Sequence, residues 1–158
     1  MPIELPPLWI IMLNVGGWLI VQLALAWVFL RLPLRWFRSA PLHTWEESGR
    51  FYQRFLGVKR WKGLLPDGAS WFAGGFEKQT LVTETPAYLC RFIAETRRGE
   101  ICHVCAILAT PVFFLWNPWW GNLLVIVYAL SANVPCILAQ RYNRARLLRL
   151  LHRLQRRL

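Results

Sequence analysis

The sequence predicts an all-α integral membrane protein with about three transmembrane helices and further amphipathic helices at the membrane interface. Its 158 residues are 56% hydrophobic and 17% charged, yet the formal net charge is +11. The two properties are segregated, because residues 1–30 and 104–140 contain no Lys or Arg and all 19 basic residues lie in 31–103 or 141–158. Basicity of this degree often indicates nucleic-acid binding. Uncharged runs of this length with ten tryptophans favour a bilayer instead, and no nucleic-acid partner is expected.

The first predicted span runs from Leu8 to Leu30. It contains no charge, and Asn14 and Gln22 are its strongly polar members. At about 1.5 Å per residue this run covers the roughly 30 Å of a bilayer core. A cleaved signal peptide is the alternative, but the run has no basic region before it and it ends on Arg31 rather than at a small-residue cleavage site.

Two further apolar runs, Ile101–Trp116 and Trp119–Ala139, are joined by an Asn-Pro turn, and interfacial tryptophans follow this turn at the start of the second run. An apolar stripe upstream extends the first of these runs back to about residue 88. Pro111 is expected to kink that helix, because proline cannot donate a backbone hydrogen bond. The pair therefore reads as a helical hairpin with an uncharged tip.

The distribution of Lys and Arg predicts the orientation in the membrane. Basic residues concentrate in cytoplasmic loops, so the C-terminus is placed in the cytoplasm and the N-terminus outside a multi-pass protein of the cell membrane. The chain is expected to form one membrane domain of five segments: 8–30 as the first span, 31–85 as a cytoplasmic or interfacial aromatic-basic segment, 88–116 as the second span with a cytoplasmic extension, 119–139 as the third span and 140–158 as a basic amphipathic helix.

The basic segments 31–85 and 140–158 are each interpreted as lying at the membrane, and each has an alternative interpretation. Aromatic residues alternate with basic residues in 31–85, which is typical of a segment in the headgroup layer; a small soluble domain is the other possibility. The tail after residue 140 spaces leucines among arginines, so it is expected to continue from the third span along the membrane surface. Electrostatic anchoring to anionic lipid is favoured there over a specific partner site.

The segment Glu95–His103 holds the densest group of ionisable residues near a predicted span. At about 100° per residue, Thr96, Glu100 and His103 fall on one helical stripe. A histidine oriented by a carboxylate suits the task of a general base for a hydroxyl nucleophile. The other interpretation pairs Glu100 with Arg97, also three residues away, and leaves His103 as an interfacial residue.

A second polar group lies at the cytoplasmic end of the third span. Asn133, Gln140 and Arg144 share a stripe, and Arg141 and Asn143 flank it. Amide and guanidinium groups at headgroup depth suit sugar hydroxyls, phosphate or a carboxylate. The preference of basic residues for the cytoplasmic side of a membrane explains the arginines but not the amides. The predicted topology places this group and His103 at similar depth, which indicates one site open to the cytoplasm.

Other kinds of site have little support in the sequence. Cys102 and Cys105 form an isolated pair without the further ligands that structural zinc needs, so no metal is expected. His43 and His152 read as surface residues. No nucleophile elbow or glycine-rich phosphate loop is present, and no cofactor is expected.

Four segments resemble the small membrane family of glycosyl-4,4'-diaponeurosporenoate acyltransferases: Tyr52–Asp67, Glu95–His103, Phe114–Pro118 and Asn133–Arg146. The resemblance implies transfer of a fatty acyl group to a sugar hydroxyl of a membrane glycolipid in carotenoid synthesis. Val104 departs from the aromatic residue frequent after the histidine in this family, which puts the shape of the substrate pocket in doubt. The matching positions are Glu95, Thr96, Arg97, Glu100, His103, Asn133, Pro135, Gln140, Arg141, Tyr142, Asn143 and Arg144, with Lys59, Trp61, Lys62, Pro66 and Asp67 in the central segment.

The leading hypothesis is therefore a membrane acyltransferase in which His103, held by Glu100, deprotonates the acceptor hydroxyl. The acyl donor is an acyl thioester or a lipid ester, and the acceptor is a membrane lipid or glycolipid. Two alternatives stay open: a non-enzymatic lipid-binding or complex-assembly subunit, and a small membrane methyltransferase. The expected substrate-binding residues are Glu95, Thr96, Arg97, Asn133, Gln140, Arg141, Asn143 and Arg144; of these, the amides would hold the sugar and the arginines would meet a phosphate, a carboxylate or the developing oxyanion.

Overall fold

The computed structural model describes residues 3–46, 49–65, 76 and 81–156, and the regular structure in these residues is entirely helical. The sequence also predicts turns at 64–68 and 73–75, and residues 66–68 and 73–75 of these turns lie outside the described residues. The α-helices are α1 (Pro7–Arg31), α2 (Arg50–Leu56), α3 (Val58–Trp61), α4 (Pro86–Leu108) and α5 (Trp119–Gln155). Short 3-10 helices cover Leu34–Phe37, Lys62–Leu64 and Thr110–Leu115.

Three of the described helical segments are long and apolar enough to cross a membrane: α1, Pro86–Leu115 and α5. The predicted fold class is thus confirmed. The start of α1 lies beside the hairpin tip, since the amide of Ile3 donates to the carbonyl of Leu115 at 3.1 Å. The N-terminus and the tip between α4 and α5 therefore share one end of the bundle, and the basic segments share the other.

Hydrogen bonds between polar side chains hold α1 to the hairpin tip. The side-chain amides of Asn14 and Asn117 donate to each other at 2.9 and 2.8 Å, and the indole of Trp116 donates to the same Asn14 oxygen at 2.9 Å. Polar groups in the hydrocarbon region need internal partners because water is absent. Asn14, which interrupts the first apolar run, thus has a structural role, because its hydrogen bonds fix how α1 meets the hairpin.

The second span changes helix type where a kink was expected. The α-helical part ends at Leu108, and Thr110–Leu115 continues as a 3-10 helix with Pro111 in its first turn. A proline is well tolerated at the start of a helix because its missing N–H has no partner to lose there. The span begins at Pro86, two residues before the predicted start.

The third span and the basic tail form one uninterrupted helix. The 37 residues of α5 extend for about 55 Å at 1.5 Å per residue, with Pro135 inside the helix. In the tail, Leu147 and Leu151 are buried in a cluster with Leu89 and Phe92 of α4. The tail was expected to continue from the third span along the membrane surface; the helix does continue, and its apolar face packs against the start of α4. Burial against another helix removes more apolar surface from water than an interfacial position does.

Candidate active site

A cavity of about 960 Å³ lies between α1, α4 and α5 and reaches the short helix Lys62–Leu64. This volume is near the upper end of the range for small-molecule sites. Apolar and aromatic side chains from α1 and α5 line one part, among them Val15, Leu19, Leu124 and Tyr128. Most of the polar lining side chains lie towards the basic end, namely Gln22, Lys62, Arg98, His103, Asn133, Gln140 and Asn143, whereas Asn14 lies near the hairpin tip.

His103 sits at the meeting point of the three spans. Its Nδ1 lies 2.9 Å from Oδ1 of Asn133 on α5, and Nε2 of Gln22 on α1 lies 3.4 Å from the same oxygen. The amide nitrogen of Asn133 donates to the carbonyl of Ala129 at 2.9 Å. Each of the three helices thus supplies one polar side chain to a shared contact.

These contacts define the tautomer of His103. Because the amide nitrogen of Asn133 is committed to Ala129, its Oδ1 can only accept, so Nδ1 of His103 carries the proton. The lone pair of the neutral ring then lies on Nε2. Asn133 is fully buried (0% exposed), which holds this acceptor in place. The arrangement orients an imidazole base in the way that a carbonyl or carboxylate partner commonly does.

Glu100 lies at the centre of an arginine cluster. Its carboxylate is 3.1 Å from Arg97, 2.6 Å from Arg141 and 2.5 Å from Arg144. The side chain of Arg144 is 0% exposed, so this carboxylate compensates a fully buried charge. The alternative interpretation of Glu100, a pair with Arg97, is therefore present in the structure.

The sequence hypothesis made Glu100 the group that holds His103. At Nδ1 that position belongs to Asn133 instead. The physical reason is competition, since charge-assisted hydrogen bonds from guanidinium groups to a carboxylate are roughly twice as strong as neutral ones. The catalytic roles of His103 and Glu100 stay predictions, with the orienting role at Nδ1 corrected to Asn133.

Glu46 and Tyr52 extend the arginine cluster, and sequence reasoning missed both. Two guanidinium nitrogens of Arg141 donate to Glu46 at 2.7 and 2.5 Å, and the Tyr52 hydroxyl donates to the same carboxylate. Glu46 is 0% exposed. A carboxylate in a strongly basic segment was the available signal, because such a residue has many potential cationic partners.

The hydrogen bonds change the acidity of both groups. Burial raises the pKa of Glu46, but the hydrogen bonds from Arg141 and Tyr52 outweigh it and lower the pKa to about 2. Burial, together with the hydrogen bond to Glu46, raises the pKa of Tyr52 to about 12. Glu46 is thus held as a carboxylate and Tyr52 as a neutral phenol at physiological pH.

The pair between Glu46 and Arg141 should make stability depend on acid pH. The carboxyl has an ordinary pKa of 4.5 when unfolded and about 2 when folded. Its contribution is therefore complete above pH 4.5 and is lost as pH falls from 4.5 towards 2. We expect Tm in detergent to fall across this window for the wild type, and to fall less for Glu46→Gln. Identical pH profiles for the two proteins would contradict the assignment.

The predicted site residues separate into two groups. Four of them line the cavity: His103, Asn133, Gln140 and Asn143. The other six are Glu95, Thr96, Arg97, Glu100, Arg141 and Arg144, and they do not appear in its lining. They serve instead in ion pairs or in a hydrogen bond to backbone, as in the 2.7 Å pair between Glu95 and Arg98 and the bond from Thr96 to the carbonyl of Ile93.

The cavity also has lining residues that sequence reasoning did not place in the site. They include Gln22, Lys62 and Gly99. A Cβ at Gly99 would lie 3.1 Å from Nε2 of Gln140, so the glycine allows α4 and α5 to approach closely there. Within the described part of the chain, no three His, Cys, Asp or Glu side chains are grouped so as to hold a metal ion.

The fold and the cavity together define a multi-pass membrane protein with an oriented histidine on an amphiphilic cavity between its spans. The family model for glycosyl-4,4'-diaponeurosporenoate acyltransferase matches residues 33–153, so the chain belongs to this family and is an acyltransferase. The family match confirms the resemblance seen in the sequence. It begins after α1, although α1 contributes Gln22 to the cavity.

Curated relatives match nearly the whole chain. Proteins of Staphylococcus aureus strains USA300, NCTC 8325 / PS 47 and bovine RF122, each named glycosyl-4,4'-diaponeurosporenoate acyltransferase, are 35% identical over 144 residues. The alignment covers 89% of this chain and 87% of each relative. No solved structure matches the chain.

Proposed function

We propose that this acyltransferase esterifies a sugar hydroxyl of a membrane glycolipid, a carotenoid glycoside or a close analogue, with a fatty acyl group. The observation that carries the proposal is the position of His103, an oriented base on a cavity with one polar and one apolar part. A glycolipid has the same division between a hydroxyl-rich head and an apolar chain. The names of the staphylococcal relatives point to the same acceptor class.

In the proposed reaction, Nε2 of His103 accepts the proton of the acceptor hydroxyl as its oxygen attacks the acyl carbonyl carbon. The new carbon–oxygen bond forms, the bond from that carbon to the leaving sulfur or oxygen breaks, and the proton passes from His103 to the leaving group. The protonated ring keeps its Nδ1–H bond to Asn133 throughout. General acid–base catalysis of this kind contributes about 10²–10⁴-fold.

Gln140 is the best-supported group for binding the sugar. Its Oε1 is buried and, among the described residues, has no hydrogen-bond partner, while the residue lines the cavity. A buried acceptor without a partner costs about 1–3 kcal/mol, which a donor hydroxyl from the sugar would offset. Asn143 lies one turn further along α5 on the same cavity. The arginines assigned to substrate in the sequence hypothesis hold α5 in position through Glu100 and Glu46.

The proposed reaction takes place near the cytoplasmic face. The polar part of the cavity lies towards the end of the bundle that holds the basic segments. Positive residues favour the cytoplasmic side, which supports a cytoplasmic C-terminus and an N-terminus outside. A cytoplasmic opening would also admit donors made in the cytoplasm.

Mass spectrometry of cells that make a carotenoid glycoside tests the proposed function. Expression of the chain should convert the glycoside into a product heavier by one acyl group, and cells without the gene should accumulate the unacylated form. The control is a substitution of an exposed residue, Glu84→Gln, and membrane fractions should contain this variant in the same amount as the wild-type protein. A membrane-inserted protein that binds lipid but forms no acylated product would refute the proposal and support a lipid-binding or assembly subunit.

A further inference from the structure

Lys62 places a cationic group on the polar part of the cavity. It opens the short helix Lys62–Leu64, and its Nζ donates to Oδ1 of Asn143 at 2.8 Å. The other Arg or Lys among the described lining residues, Arg98, is neutralised by Glu95 at 2.7 Å. Within the described residues, the ion pairs of the structure do not include Lys62. Its charge is therefore uncompensated by the carboxylates that serve the arginines.

The surroundings of Lys62 favour an anion. The Lys62 ammonium and the Arg146 guanidinium each lie 5.7 Å from the centre of the Tyr142 ring. Burial, with a smaller effect from Arg146, lowers the pKa of Lys62. A half-buried cation beside a second cation is stabilised when a ligand supplies negative charge.

The chemistry of the two substrates indicates which of them supplies that charge. A sugar hydroxyl is neutral and needs hydrogen-bond partners rather than a cation. Activated acyl donors carry phosphate, either in a phosphopantetheine thioester or in a phospholipid. Lysine is a common ligand for phosphate in proteins.

The distance between Lys62 and His103 distinguishes between a phospholipid and a phosphopantetheine thioester as the donor. Lys62 bonds Asn143 and His103 bonds Asn133, and these partners are ten residues apart on α5, about 15 Å along the axis. In a phospholipid only a few glycerol bonds separate the phosphate from the ester carbonyl. In a phosphopantetheine thioester the whole pantetheine arm lies between them, and such an arm spans this distance in an extended conformation.

We propose that Lys62 binds the phosphate of a phosphopantetheine thioester, so that the pantetheine arm follows the polar side of the cavity and delivers the acyl carbonyl to His103. Asn143 positions the lysine, and the acyl chain occupies the apolar part beside Leu19 and Tyr128. The proposal rests on the proposed function, since it assigns the donor of that reaction.

Binding of non-hydrolysable thioether analogues to the purified full chain in neutral-lipid nanodiscs tests the proposal. S-alkyl-4′-phosphopantetheine should bind the wild type at least about tenfold more tightly than S-alkyl-pantetheine, because only the phosphate can accept a charge-assisted hydrogen bond from Lys62. Lys62→Ala should reduce this preference to about twofold or less, and Lys62→Arg should retain most of it. The exposed Lys59→Ala variant is the matched control and should behave as wild type.

Equal binding of the phosphorylated and unphosphorylated analogues to the wild type, or an equal loss of preference in the Lys59 and Lys62 variants, would overturn the proposal. So would loss of the preference in nanodiscs containing phosphatidylglycerol, because a lipid phosphate would then be the ligand. Phosphate-dependent binding without acyl transfer would leave the Lys62 site intact and refute the proposed reaction alone.

Discussion

His103→Ala is expected to lower kcat for acyl transfer by about 10²–10⁴-fold, because it removes the proposed general base. The protein should still insert and fold, since His103 is only partly buried. Transfer is measured with purified protein in nanodiscs at saturating donor and acceptor. His152→Ala, on the exposed side of α5, is the matched control and should retain wild-type kcat.

A second variant tests how His103 is oriented. Asn133→Leu removes the acceptor for Nδ1–H and should lower kcat while shifting the pH dependence of the rate. A merely structural role of Asn133 would lower Tm and leave the pH profile of the remaining activity unchanged. Full turnover by His103→Ala would exclude the histidine as the base.

Glu100→Gln is expected to destabilise the protein by about 3–5 kcal/mol, because it leaves the buried Arg144 without its carboxylate. The amide keeps the shape of the side chain but supplies no charge to Arg97, Arg141 or Arg144. Reversible unfolding in mixed micelles measures the loss. Glu84→Gln, an exposed change on the loop before α4, should fall within about 0.5 kcal/mol of the wild type.

The same variant distinguishes the two interpretations of Glu100. If Glu100 has only a structural role, its substitution lowers stability and affects turnover only through the amount of folded protein. A group that acts on His103 would lower kcat at unchanged stability. Wild-type stability together with reduced kcat in Glu100→Gln would restore the role that the sequence hypothesis gave to this residue.

Apolar runs and charge placement sufficed to predict the spans. The first and third runs are uncharged and about 20 residues long, and an apolar stripe extends the shorter run Ile101–Trp116, so all three spans could be predicted without tertiary information. The continuation of the third span into the basic tail was also expected from the sequence, and α5 runs on through residue 140. The partner of the tail was not readable from the sequence, because its leucines pack against residues of α4 that are distant in the chain.

The candidate site was predictable in its members more than in its contacts. His103, Asn133, Gln140 and Asn143 were named from the sequence and line one cavity. Spacing along a helix limits which neighbours a side chain can reach, but it leaves both Arg97 and His103 within reach of Glu100. Residues of α5 and of the loop holding Glu46 decide between them, and their approach depends on packing.

The sequence by itself determined that this chain is an all-helical membrane acyltransferase, because a bilayer demands long uncharged runs and because the family motifs lie in order along the chain. Only the tertiary structure decided which polar groups serve the cavity and which serve the fold. Arginines on α4 and α5 that looked available to a substrate are neutralised by Glu46 and Glu100. The physical reason is that a buried charge needs a partner from whichever helix packs against it. The spacing of residues within a single segment does not determine how the helices pack.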